Sequence, residues 1–157
     1  LANPSPVVNT ANLRPALAPG SLVAIQGRAL ASNSESAQPP YPTLLGGVCV
    51  TLNNRPLPLA ATSAGEIRAQ IPPDLAPAAT PSSFEHRPRR RQSPTYSLTV
   101  ARYAPAVVVD PQTKQPAIYH EDGRPITKAN PTTRDRRATI FAVGLGATRP
   151  QVAPGAP

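Results

Sequence analysis

Apolar and polar residues alternate in several short stretches of the chain, and the clearest stretch covers residues 67–71. There Ile67, Ala69 and Ile71 alternate with two polar residues, which is the pattern of a strand with one buried and one solvated face. Two prolines follow directly. Because proline cannot donate to a strand ladder, the strand is predicted to end there.

The same alternation, bounded by proline, glycine or asparagine turns, predicts further strands along the chain. They are predicted at residues 7–11, 21–30, 48–52, 55–60, 96–100, 106–109, 117–120, 125–127 and 138–145. Residues 31–42 and 74–94 show no such pattern and are predicted to form loops.

Two of these strands give specific expectations about side chains. The three apolar residues at the even positions of 48–52 are predicted to face the core, and so are Tyr96, Leu98 and Val100. The pair Asn53-Asn54 lies between two predicted strands, and asparagine tolerates a positive φ. A β-hairpin is therefore expected at this pair.

Composition strengthens the all-β prediction. The 157 residues include 23 prolines but only four tyrosines and two phenylalanines, and a proline inside a helix costs about 3 kcal/mol. A helical bundle is thus disfavoured, and short strands between long proline-rich loops are expected. Disorder is the competing interpretation, but a hydrophobic content of 39% and the clean alternation argue against it.

The net charge of the chain is compatible with several classes of binding partner and therefore says little about function. A net charge of +8 permits contact with nucleic acid, anionic polysaccharide or lipid headgroups without choosing among them. No apolar run approaches the roughly 20 residues that span a bilayer, so no transmembrane segment is predicted. A single cysteine excludes an internal disulfide, and an opening Leu-Ala-Asn-Pro suggests a processed or trimmed product.

A set of short motifs resembles a known family in order and spacing. The motifs are Val-Val-Asn-Thr-Ala-Asn at 7–12, Ala-Pro-Gly-Ser-Leu-Val-Ala-Ile-Gln-Gly at 18–27, Leu-Gly-Gly-Val-Cys-Val-Thr-Leu-Asn-Asn at 45–54, Ala-Gly-Glu-Ile-Arg-Ala-Gln-Ile-Pro at 64–72, His-Glu-Asp-Gly at 120–123, Ala-Asn-Pro at 129–131 and Ala-Val-Gly-Leu-Gly at 142–146. Together they resemble the Ig-like, IPT/TIG-related C-terminal modules of large secreted bacterial proteins of the Solibacter type.

This resemblance implies an antiparallel Ig-like β-sandwich over residues 1–114, located outside the cell or at its surface, with no known catalytic residues. It also implies that residues 115–157 are the opening strands of an incomplete second Ig-like repeat, packed on the first or on a neighbour. The arginine-rich stretch at 85–91 departs from the family pattern.

The last predicted strand needs ladder partners and a surface for its apolar side chains. It can fold back on the first sandwich, pair with residues outside this chain, or complete another subunit by strand addition. The residues predicted to form this assembly strand are Ala138, Thr139, Ile140, Phe141, Ala142 and Val143.

The arginine-rich stretch is the second candidate site. It offers Arg87, Arg89, Arg90 and Arg91 without interleaved aromatic residues, which suits phosphate or sulfate contact better than base stacking. We expect a possible anionic glycan as a ligand and no specific nucleic acid. A solvated loop is the simpler interpretation.

Catalytic and metal sites are not predicted. His120, Glu121 and Asp122 are consecutive, and strand neighbours point to opposite faces, so a solvated hairpin turn is favoured over a metal cluster. Cys49 has no histidine close in sequence to act as a base. The sequence therefore predicts a non-enzymatic structural protein without cofactors that works by self-association, as a filament or cell-surface subunit, and the family resemblance implies its extracellular location. Polyanion or glycan binding is the alternative.

Overall fold

The computed structural model describes residues 7–76, the backbone of 82–88, and residues 96–110 and 112–156. These residues form thirteen strands that pair antiparallel, and none of them lies in an α-helix. The all-β prediction is confirmed. Within the described part of the chain, no helix is long and apolar enough to cross a membrane.

The strands are short and follow one another closely along the chain. They are β1 (Val7–Asn9), β2 (Leu22–Gln26), β3 (Glu35–Ser36), β4 (Val48–Leu52), β5 (Arg55–Pro56), β6 (Leu59–Thr62), β7 (Glu66–Gln70), β8 (Ser82–Pro88), β9 (Tyr96–Leu98), β10 (Ala106–Val107), β11 (Ile118–His120), β12 (Ala138–Ile140) and β13 (Ala142–Val143).

The larger sheet has five strands in the order β1-β2-β7-β6-β3. At its centre β2 and β7 pair over five residues, with Ile25 opposite Ile67 and Val23 opposite Ala69. All four side chains are buried. The alternation at 67–71 therefore builds the centre of the sheet, as the sequence predicts for a strand with one buried face.

The second sheet has four strands in the order β5-β4-β8-β9. Asn53 and Asn54 connect β4 to β5 with φ values of 52° and 62°, so the predicted hairpin turn is confirmed. The loop prediction for residues 74–94 is wrong over Ser82–Pro88, which pairs with β4 and β9. Strand pairing is a main-chain contact, and it does not require alternating side chains.

One hydrophobic cluster joins the two sheets. It comprises Val7, Leu17, Val23, Ile25, Ala31, Val48, Val50, Leu52, Leu57, Leu59, Ile67, Ala69, Ile71, Leu98 and Val100. The inward assignment of the apolar residues of β4 is confirmed, as it is for Leu98 and Val100. For Tyr96 it is wrong: this residue is 44% exposed, and it begins β9, an edge strand whose first two residues are both exposed.

Other strand predictions need correction. The single strand expected at 55–60 divides, because the buried Leu57 leads the chain from β5 in one sheet to β6 in the other. The strand expected at 21–30 stops at Gln26, since Ala29 has a φ of 52° and the chain turns. At 125–127 only Pro125 forms a bridge, and β3 was missed because both of its residues are exposed.

Residues 115–157 contact the earlier part of the chain through β13 and through the segment near Gly155. The strand β13 pairs with β10, and β12 pairs with β11. Near the end of the chain, Tyr41 N donates to Gly155 O at 2.9 Å, and Gly155 N donates to Gln70 Oε1 at 2.6 Å. The end of the chain thus lies against β7 of the five-stranded sheet, whereas β12 pairs with β11 within residues 115–157. The division into domains at residue 114 stays a prediction.

Candidate functional site

The predicted assembly strand at 138–143 is two strands that change partner at Phe141. On one side β12 pairs with β11, placing Ile140 opposite Ile118 and Ala138 opposite His120. On the other side β13 pairs with β10. The three alternatives stated for this strand stay predictions, since β12 pairs within residues 115–157 and β13 pairs with β10 outside the two larger sheets.

A ring of three backbone hydrogen bonds explains the change of partner. Val108 N donates to Phe141 O at 2.9 Å, Phe141 N donates to Ala117 O at 3.0 Å, and Ala117 N donates to Val108 O at 2.8 Å. Three strands therefore meet at Phe141, and neither its N–H nor its C=O can face a strand on the opposite side.

The junction fixes which backbone groups of β12 point outward. Along an antiparallel strand, successive residues direct their N–H and C=O groups to opposite edges. Since Phe141 bonds to Ala117, Thr139 also faces β11, and the backbone groups of Ala138 and Ile140 face the other edge. No strand pairs with that edge among the described residues.

The side chains of β12 are as open as its backbone. All three residues are exposed, with Ile140 at 56% and the adjoining Phe141 at 55%. Phe141 makes an edge-on contact with Tyr119 of β11, with ring centroids 5.7 Å apart. This aromatic pair is the only ring-to-ring contact found in the described part of the chain, and it holds Phe141 beside the open edge.

Three other sheet edges, those of β1, β3 and β5, are less open. The three side chains of β1 are buried, and β3 has only two residues. The edge strand β5 carries Pro56, which has no N–H to donate to a further strand. Among these edges, β12 alone combines outward backbone groups with large exposed apolar side chains.

The residues before β12 are basic. Arg134, Arg136 and Arg137 are exposed, and only Arg137 has a carboxylate nearby, with Nε 3.8 Å from Glu121 Oε1. Arg136 and Arg137 also line a cleft of about 350 Å³ together with His120. Positive charge therefore lies beside the open edge, a feature that the sequence analysis did not single out.

The turn between β11 and the loop fits the favoured interpretation of His120, Glu121 and Asp122. Gly123 has a φ of 80°, and its N–H donates to His120 O at 3.0 Å. The Arg124 guanidinium donates to Asp122 and holds the pKa of that carboxyl below its ordinary value. No group of three metal-ligating side chains occurs within the described ranges.

The arginine-rich stretch is described only in part. The backbone of Arg87 lies in β8, opposite Cys49 of β4. Arg89, Arg90 and Arg91 lie outside the described residues, so polyanion binding by this stretch stays a prediction. Cys49 itself is a free, half-buried thiol.

Sequence reasoning missed the residues that hold the open edge in place. Tyr119, Ala117 and Val108 belong to predicted strands, but alternation gives no sign of which strands pair. The three arginines in Arg134-Asp135-Arg136-Arg137 could have predicted the positive charge beside the open edge of β12.

Comparisons with protein-family models, with curated proteins and with solved structures found no match. The resemblance to the Ig-like secreted modules therefore stays a prediction, and function is argued from the geometry alone.

Proposed function

We propose that this chain is a non-enzymatic structural protein that associates with a second copy of itself through the open edge of β12. The observation that carries the proposal is the edge itself. Outward backbone groups at Ala138 and Ile140 lie beside an exposed isoleucine and phenylalanine. An open strand edge is a template for adding another strand.

The junction at Phe141 specifies one register for this contact. With a twofold axis at Thr139, Ala138 of each copy lies opposite Ile140 of the other. These are the two residues with outward N–H and C=O groups, so each pair can exchange two hydrogen bonds. The two Thr139 residues then form a non-hydrogen-bonded pair, in which side chains lie closest together.

The same register places the flanking charges favourably. Arg137 of each copy lies opposite Phe141 of the other, which avoids facing arginines and permits a cation–π contact. The side chains involved are exposed in the single chain. Association would therefore cover apolar surface without burying an unpaired carboxylate.

The size of the contact points to an assembly at high local concentration. β12 has three residues, and an interface built on so short a strand falls below the roughly 1,000 Å² of stable complexes. Weak contacts become effective when many copies are held together, because the second contact is then intramolecular. This supports a cell-surface or extracellular assembly, in line with the family resemblance.

We also propose that the two larger sheets form an Ig-like β-sandwich. Their antiparallel pairing and their shared hydrophobic cluster support it.

A twofold contact at β12 closes after two copies, so a filament would need a further interface elsewhere on the chain.

Charge reversal at the proposed axis tests the register directly. Thr139→Lys or Thr139→Glu alone puts like charges opposite each other and should weaken self-association several-fold. An equimolar mixture of the two variants puts opposite charges together and should restore association. Sedimentation velocity from micromolar to millimolar protein measures all three samples.

Thr43→Lys and Thr43→Glu provide matched controls, because Thr43 is exposed and belongs neither to β12 nor to the strand that pairs with it. They should associate like the unmodified chain, alone or mixed. The register is wrong if the Thr139 mixture behaves no differently from either Thr139 variant alone.

Polyanion binding is the second candidate, favoured by the arginines that lack carboxylate partners. Six arginines form no ion pair with another described residue: Arg14, Arg28, Arg102, Arg134, Arg136 and Arg149. Replacing Arg87, Arg89, Arg90 and Arg91 by serine should reduce retention on a heparin-like resin and make it less sensitive to salt. Unchanged retention and salt dependence would exclude the arginine-rich stretch as the binding site.

A further inference from the structure

Residues 144–149, which follow β13 directly, lie tightly against residues 102–104. Ala104 N donates to Gly144 O at 2.9 Å. A Cβ at Gly144 would overlap Ala104 O, and one at Gly146 would lie 2.9 Å from the Tyr103 ring. Both glycines have positive φ, at 74° and 88°, so this close approach depends on their lacking side chains.

A cleft of about 360 Å³ opens where these two segments meet. Arg102 and Tyr103 line it from one segment, and Thr148 and Arg149 line it from the other. Pro19 and Leu75 supply apolar surface. This volume lies within the range of about 300–1,000 Å³ that is typical of small-ligand sites.

The lining of the cleft is positive. Its described lining residues include two guanidinium groups and no carboxylate, and neither arginine forms an ion pair with a described residue. Asp74, the residue before Leu75, is held by Arg55 at 2.9 Å. That contact lowers the Asp74 pKa, and the Arg55 guanidinium offsets the charge of this carboxylate.

Tyr103 gives the cleft a flat apolar surface. Its ring is 58% exposed, and the Arg102 guanidinium carbon lies 5.3 Å from the ring centroid. Stacking on an aromatic face limits the positions of a guanidinium while its N–H donors remain available. The Thr148 hydroxyl adds a donor or acceptor for a polar group.

We propose that this cleft binds a sugar that carries a sulfate or carboxylate group. Arg102 and Arg149 donate charge-assisted hydrogen bonds to the oxyanion. Tyr103 packs against the sugar ring, and Thr148 bonds to one of its hydroxyls. Two segments of the chain build the site, and none of its residues belongs to β12, so it does not depend on the proposed self-association.

Isothermal titration with N-acetylglucosamine 6-sulfate, glucuronate and neutral N-acetylglucosamine tests this proposal on the full chain. We expect binding of the sulfated sugar, the carboxylated sugar or both, and no measurable binding of the neutral sugar. Binding by only one of the charged sugars identifies the oxyanion. Equal binding of the neutral sugar, or no binding by either charged sugar, overturns the proposal.

The double variant Arg102→Gln/Arg149→Gln should weaken binding of the charged sugar about tenfold or more, because both charge-assisted contacts are lost. Arg28→Gln/Arg134→Gln removes the same charge from exposed positions outside the cleft and should change the affinity less than about twofold. Equal weakening by both double variants overturns the site and indicates general charge attraction.

Tyr103→Ala separates the sugar contact from the charge contact. It should weaken binding of the charged sugar by a larger factor than binding of inorganic sulfate, because sulfate loses only the positioning of Arg102 and the sugar also loses the ring contact. An unaltered thermal transition shows that the Tyr103→Ala variant is folded. Arg102→Lys, which keeps the positive charge but not the planar guanidinium, is a second variant that should weaken binding of the charged sugar less than the double variant does. If Tyr103→Ala binds the sugar as the unmodified chain does, the proposed ring contact is wrong.

Discussion

Two strand pairs in this molecule have similar sequence patterns and opposite surroundings. In the β2–β7 pair Ile67 is completely buried, whereas in the β11–β12 pair Ile140 is 56% exposed. Both pairs are antiparallel and both place an isoleucine opposite an isoleucine. The difference is that β7 lies over a second sheet within one hydrophobic cluster, and β12 does not.

The comparison teaches that forming a strand and burying it are separate outcomes. Pairing satisfies backbone donors and acceptors, while burial removes apolar surface from water at about 25 cal/mol per Å². β12 has satisfied only the first requirement, and on one edge. A second copy of the chain would satisfy both.

The largest expected difference comes from truncating the two isoleucines. Ile67→Ala should lower the free energy of unfolding by about 2–5 kcal/mol, because it leaves a cavity in the core. Ile140→Ala should change it by less than about 0.5 kcal/mol in the dilute single chain. Urea denaturation monitored by circular dichroism measures both changes. Similar losses in the two variants would contradict the distinction between the strand pairs.

The glycine contacts beside β13 give the next largest effect. Gly144→Ala should cost about 1–3 kcal/mol, because alanine is strained at positive φ and its Cβ would overlap Ala104 O. Hydrogen exchange should be faster at the Ala104 amide and unchanged in β7. Gly65→Ala is the matched control, since a Cβ there meets nothing within 4 Å. Unchanged exchange at Ala104 in the Gly144 variant would show that this contact does not hold the segment.

Only part of this structure could be predicted from the sequence. Alternation located the centre of the larger sheet and the buried face of β4, because both depend on local periodicity. It did not locate β8, whose pairing depends on a distant backbone, or the change of partner at Phe141. The open edge of β12 was proposed from its apolar residues, but its register follows only from the three hydrogen bonds at Phe141.

A smaller effect is expected where Gln70 of β7 bonds to Gly155 and Ala156 near the end of the chain. Gln70→Leu removes the acceptor of Gly155 N–H and the donor to Ala156 O, at a cost of about 1 kcal/mol. Exchange at the Gly155 and Tyr41 amides should increase while the β2–β7 ladder stays protected. Gln112→Leu, at an exposed turn position, should change neither amide. If the ladder loosens as well, the tail is a required part of the core.

The smallest expected effect is the pH dependence of the turn at Asp110. Asp110 accepts hydrogen bonds from the Thr113 backbone and hydroxyl and from the Gln112 backbone, which lower its folded pKa. Its contribution to stability is complete above the unfolded pKa of about 3.9 and is lost as the pH falls through the folded pKa. The protection of the Thr113 amide, taken relative to its intrinsic exchange rate at each pH, should therefore fall on acidification before that of β7.

Asp110→Asn is the control for this pH effect, because its side chain does not titrate. In this variant, exchange at Thr113 should no longer depend on carboxyl protonation at residue 110. A Thr113 amide that keeps the same acid dependence in the variant would assign the effect to another group.

The measurement that tests the central claim most directly is sedimentation equilibrium of the chain over a wide concentration range. The account predicts a mass that rises from one copy towards two, and an Ile140→Asp/Phe141→Asp variant that stays single with an unchanged thermal transition. A chain that stays single at the highest concentration, or a double variant that associates equally well, would contradict the claim that β12 is the association edge.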